Sequence, residues 1–117
     1  MSGPVLIDSK ISFTKINELA QEFFGDMVKI VVDLRGGVMT AGGELHADGE
    51  KVLLEQGSSQ EDLWGANYFP GKPNGEKLEY TAMINIRPKQ QNRSQRVESE
   101  DRRKKIQSIV ELLFGAA

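Results

Sequence analysis

The sequence predicts an α+β domain: a four- to five-stranded, mainly antiparallel sheet in the order β-α-β-β-α-β-β-α, with helices packed on one face. Three observations lead there. Two segments carry apolar residues at helical spacing, two pairs of extended segments are joined by turn-rich stretches, and each pair precedes a helix. A chain of 117 residues fits one domain, residues 1–117.

Val5-Leu6-Ile7 is a short apolar run before a polar turn and reads as the first strand. Ile16, Leu19, Ala20, Phe23 and Phe24 then recur at the spacing of a core-facing helix. Ser12 or Thr14 can cap its start, and Gly25 can end it. Met27 to Leu34 supplies the β-branched Ile30, Val31 and Val32. Arg35-Gly36-Gly37 marks a hairpin turn, and Val38 to Ala41 returns. A short helix fits Gly49 to Gln56, with Asp48 as its cap. Asp62 to Phe69 alternates as a strand, and Pro70 to Gly75 is dense in turn residues. Leu78, Tyr80, Ala82, Ile84 and Ile86 alternate with polar neighbours and predict the longest strand, ending at Pro88. Ser99, Glu100 and Asp101 open a last helix striped by Ile106, Ile109, Val110, Leu113 and Phe114.

Composition excludes several classes of function. Cysteine is absent, which removes disulfides, thiolate metal sites and cysteine nucleophiles; a single histidine removes any site that needs two. No apolar run approaches the ~18 residues of a membrane span. Met1-Ser2-Gly3-Pro4 lacks a basic segment followed by an apolar one, so no secretory signal is expected and a cytoplasmic location is. Fifteen basic against seventeen acidic residues give a formal charge of −2. The charge is uneven: residues 87–105 hold eight basic and three acidic side chains, leaving the rest of the chain acidic.

Two polar constellations stand out. In Gly42-Gly43-Glu44-Leu45-His46-Ala47-Asp48, an extended backbone would place Glu44, His46 and Asp48 on one face, as acid–base groups or as ligands of a divalent cation; the cation is not favoured. A helical backbone would instead send His46 away from the two carboxylates. In Arg87 to Arg96, Arg87 and Arg93 offer guanidinium forks to a phosphate or carboxylate, with Asn92 and Ser94 as neutral partners. Trp64, the only tryptophan, packs in the core or on a sheet face at strand spacing, and is a candidate ligand contact. No aromatic residue interleaves the basic stretch, so nucleic acid is not favoured as a partner.

Gly42 to Asp48, Asp62-Leu63-Trp64-Gly65 and Ile84-Asn85-Ile86-Arg87-Pro88 followed by Asn92-Arg93-Ser94 resemble a family of small prokaryotic proteins of unknown function. Phe23 to Lys29 resembles it too. The resemblance implies a prokaryotic cytoplasmic origin and no particular activity, cofactor or partner.

The expected function is binding of a small anion (phosphate, nucleotide or carboxylate) in a pocket joining residues 44–48 and 87–94, with acid–base or metal-assisted chemistry a further option. The alternative is a non-catalytic interaction module or homodimer with a basic C-terminal surface. In that case the polar motifs are structural; a third reading is that they only build the fold, with Arg87 clasping Glu44 or Asp48 in a buried network.

Overall fold

The structure, a computed structural model, describes residues 3–117. Met1 and Ser2, part of the stretch read above for a secretory signal, lie outside the described residues. Strand β1 (Val5–Ile7) leads into helix α1 (Phe13–Phe23), and β2 (Val28–Asp33) and β3 (Val38–Ala41) follow as a hairpin. Helix α2 (His46–Glu55) precedes β4 (Leu63–Tyr68) and β5 (Leu78–Glu79), and α3 (Glu100–Phe114) comes last. The five strands lie in the order β1-β3-β2-β4-β5, and every neighbouring pair is antiparallel.

The helix caps follow the local chemistry. Ser12 Oγ accepts the Lys15 N–H at 3.1 Å, and Ser99 Oγ accepts that of Arg102 at 3.2 Å, each satisfying a first-turn donor that the helix cannot. Gly25, at φ 83°, closes α1 with its N–H on the Ala20 carbonyl at 2.7 Å. The β2–β3 turn is ordered by Asp33, whose Oδ1 accepts the N–H groups of Arg35 at 2.9 Å and Gly36 at 2.8 Å.

The α+β class and the antiparallel sheet match expectation, but the layering differs. Helices α1 and α3 cover one face, packing Ile16, Leu19, Ile106 and Val110 against Ile30, Val32, Met39, Trp64 and Ala66. Helix α2 lies on the opposite face, where Leu53 meets Val31 and Leu63. Two-sided cover explains why Ile30, Val31 and Val32 are consecutive: a strand buried on both faces has no polar side to present.

Two boundaries also move. Helix α2 begins at His46, not Gly49, so Asp48 sits in its first turn and not at its cap. Gly42 and Gly43 turn the chain at φ 100° and 82°, and a Cβ on Gly43 would lie 2.9 Å from Pro4 Cδ. The chain is thereby directed onto the second face before Leu45. The strand predicted from Leu78 to Ile86 ends at Glu79; Met83–Asn85 winds into a 3₁₀ turn. Its N-terminal part finds other partners: the Val97 N–H reaches the Tyr80 carbonyl at 2.9 Å, and the Ala82 N–H reaches that of Gln95 at 3.1 Å.

Candidate functional site

Because β5 pairs only with Asn67 and Tyr68, the first half of β4 lacks a strand partner on that side. Side chains take the strand's place. Asn85, fully buried, accepts the Gly65 N–H on Oδ1 at 2.8 Å and donates Nδ2–H to the Gly65 carbonyl at 2.9 Å and that of Gln95 at 2.9 Å. One carboxamide thus reproduces the two-way exchange of a peptide unit. Gly65 permits the approach, since a Cβ there would lie 2.5 Å from Ala82 Cβ.

Arg87 continues the same edge. Its Nε donates to the Ile84 carbonyl at 3.0 Å, and one terminal nitrogen reaches the Gln60 carbonyl at 2.8 Å and Gln90 Oε1 at 3.2 Å. The other terminal nitrogen donates to the Leu63 carbonyl and lies 3.7 Å from the Glu50 carboxylate of α2. Four of the five N–H donors of the guanidinium are hydrogen-bonded, and the Glu50 carboxylate stands beside the group at ion-pair distance. Burial lowers the Arg87 pKa, the Glu50 charge raises it, and Arg102 lowers it. The expected clasp therefore exists with a different acid: Glu50 stands where Glu44 or Asp48 was expected.

The loop that follows is also closed on itself. Asn92 is fully buried, its Nδ2 donating to the carbonyls of Asn85 at 2.8 Å, Arg96 at 2.9 Å and Ser94 at 3.1 Å, while its Oδ1 accepts the Glu98 N–H at 2.8 Å. Ser94 and the backbone N–H of Arg93 do hold an anion, but it is the chain's own, and the exposed Arg93 guanidinium makes no side-chain hydrogen bond or ion pair among the described residues. Glu98 Oε2 accepts the Arg93 N–H, the Ser94 N–H and the Ser94 hydroxyl, each at 2.9 Å. The Ser94 hydroxyl, then the two backbone N–H groups, hold this carboxyl below its usual pKa.

Glu44, His46 and Asp48 do not share a face. Glu44 and Asp48 are exposed, whereas His46 turns inward with Nε2 on the Ala66 carbonyl at 2.9 Å. A carbonyl can only accept, so Nε2 carries the proton in the neutral ring. Burial is the largest influence on the imidazole and lowers its pKa; the Ala66 bond raises it, Lys29 lowers it and Asn67 raises it. Among the described residues, no three His, Asp or Glu side chains converge as a metal ion requires.

An open cleft of about 540 Å³ lies elsewhere, between the β2–β3 turn, the start of β4 and α3. Arg35, Arg102 and Lys105 line it together with the carboxylates of Glu61 and Asp62, beside Trp64 and Gln90. Trp64 is buried, and two guanidinium groups lie over its ring, with Arg87 Cζ at 4.4 Å and Arg102 Cζ at 4.5 Å from the centroid. Among the described residues, Arg102 makes one side-chain hydrogen bond, to the Gln90 carbonyl at 3.3 Å. Among the described residues, none of Arg35, Arg102 and Lys105 has a carboxylate within 4.0 Å.

The pattern of a family described as Protein of unknown function (DUF5674) matches residues 5–113. The chain belongs to this family. No curated protein and no solved structure matches it. In this DUF5674 chain the residues that carry the resemblance interlock: Asn85 and Arg87 hold the backbone of Leu63 and Gly65, and Asn92 holds Asn85. Reading the sequence alone missed Asn85, Glu50, Glu98, Arg35, Arg102 and Lys105. Asn85 had a signal, an amide among apolar neighbours at Ile84 and Ile86. Arg102 and Lys105 had only the helical spacing that puts them on one side of α3.

Proposed function

We propose that the protein binds a small anionic ligand in the cleft between the β2–β3 turn, the start of β4 and α3. Arg102 is the main contact, and Arg35 and Lys105 add charge. The reading keeps the expected ligand class and moves its site. Arg87 is occupied by carbonyls, Ser94 and the Arg93 backbone N–H by Glu98, and Asn92 by its own loop, while the exposed Arg93 guanidinium does not line the cleft.

One observation carries the proposal. Of the two guanidinium groups over Trp64, that of Arg87 makes four hydrogen bonds and has the Glu50 carboxylate beside it, whereas that of Arg102 keeps most of its donors and faces an open cleft. The indole fixes the plane of the guanidinium, which reduces the ordering cost of two-point binding to an oxyanion. Glu44, His46 and Asp48 take no part.

Calorimetric titration with inorganic phosphate, pyrophosphate and succinate tests the proposal. Binding of at least one anion is expected, weakening as salt is raised. Arg102→Gln should weaken it by about ten- to a hundredfold, the loss of one or two charge-assisted hydrogen bonds, with the protein still folded and its unfolding midpoint lowered only by the lost contacts to Trp64 and the Gln90 carbonyl. A wild-type protein silent to all three anions would overturn the proposal.

A further inference from the structure

A second cleft, about 570 Å³, adjoins the first and shares Arg35 and Asp62 with it. Its character is different. Gln56, Ser58 and Ser59 bring neutral hydrogen-bonding side chains, and its cation, Arg35, stands at the shared boundary. The far wall is ordered by a relay in which Gln56 Nε2 donates to Ser58 Oγ at 2.6 Å and Ser58 Oγ donates to Asp33 Oδ2 at 2.6 Å. The Asp62 carboxylate and the Ser59 hydroxyl make no side-chain hydrogen bond among the described residues and face the same space. Each cleft falls within the size range of small-molecule sites.

We infer that the ligand is a sugar phosphate, its phosphate among Arg35, Arg102 and Lys105 and its hydroxylated body in the cleft of Asp62, Ser59 and Gln56. The inference rests on the anion-binding reading and adds the substrate class. The cleft holds three cations against the carboxylates of Glu61 and Asp62; with Asp62 turned to the body's hydroxyls, the three cations suit a dianion better than the single charge of a carboxylate. Vicinal hydroxyls both donate and accept: they donate to the Asp62 carboxylate and accept from Ser59 and from Arg35. An aromatic or aliphatic body would leave these polar groups unpaired, which disfavours it.

Calorimetry with inorganic phosphate, ribose 5-phosphate and ribose separates the two claims. Ribose 5-phosphate should bind at least about tenfold more tightly than phosphate, the worth of one or two added hydrogen bonds, and ribose alone should give no measurable heat. Asp62→Asn should remove most of that advantage while phosphate binds no more weakly, and the unfolding midpoint should hold because the side chain has no partner to lose. Equal affinities for phosphate and ribose 5-phosphate overturn the sugar-phosphate inference and leave anion binding standing. An advantage that survives in Asp62→Asn overturns the inference as well, since the body then lies outside the second cleft. Silence to both phosphates overturns the sugar-phosphate inference, and anion binding falls with it when pyrophosphate and succinate are silent too.

Discussion

Asn85 shows how much one buried amide can hold. Replacing it by alanine removes two hydrogen bonds to Gly65 and one to Gln95, and strands the Gly65 groups between Ala82 and Ile84. At about 1–3 kcal/mol for each buried group left unpaired, Asn85→Ala should cost about 3 kcal/mol in urea unfolding. His46 gives a pH-dependent counterpart. Its folded-state pKa lies below the ordinary 6.5 chiefly because of burial, so the neutral form is favoured in the folded protein. Its contribution is complete above about pH 6.5 and is lost as pH falls through the folded value. The urea midpoint should therefore drop between pH 7.5 and 5.5, and drop less in His46→Gln. Glu98 does not confuse that measurement. Its pKa is also lowered, and its contribution begins to be lost only on entering the carboxylate range, below this window.

At the scale of elements, Gly49 decides where α2 can sit. Glycine inside a helix costs about 1 kcal/mol relative to alanine, so its presence needs a reason. A Cβ there would lie 2.5 Å from Thr40 Oγ1 and 3.0 Å from Val31 Cγ2, both on stiff β-branched side chains. Gly49→Ala should thus destabilise by about 1–2 kcal/mol despite the better propensity, because overpacking of about 1–3 kcal/mol exceeds the gain. Adding Thr40→Ala should restore part of the loss in the same unfolding assay. Helices α1 and α3 were legible in the sequence because stripe and cap agree at Ser12 and Ser99. The turn at Asp33 to Gly37 was legible from its glycines. The placement of α2 was not: the consecutive Ile30, Val31 and Val32 signal a strand covered on both sides without saying by what. The alternation from Leu78 to Ile86 misled because Gly65 and Asn85 replace backbone pairing with side-chain pairing, and no periodicity records that substitution. Of the candidate site, the basic run over residues 87–105, which includes Arg87, Arg102 and Lys105, was legible; its approach to Trp64 was not. The site was not legible in place, since nothing local to Arg87 or Arg102 tells which of them has its donors filled by distant carbonyls.

Across the whole molecule, β2 is the shared wall of two hydrophobic layers, one holding Trp64 and the other Leu53. Losing either layer exposes a face of the same strand, so the layers should unfold together. Indole fluorescence reports the α1–α3 side alone, because Trp64 is the only tryptophan, whereas far-ultraviolet dichroism reports all three helices. The two signals should give coincident urea transitions; an earlier dichroism transition would show α2 melting separately. The guard along β4 has a consequence of its own for self-association. An edge closed by a second strand is opened only by large-scale unravelling, but this one is closed by an amide and a guanidinium. A point substitution at Asn85 or Arg87 would uncover a row of hydrogen-bonding groups on a strand that remains folded, and a neighbouring copy could pair with it. Such variants should form oligomers and aggregates under conditions that keep most of their native structure, so the two side chains protect solubility as well as fold.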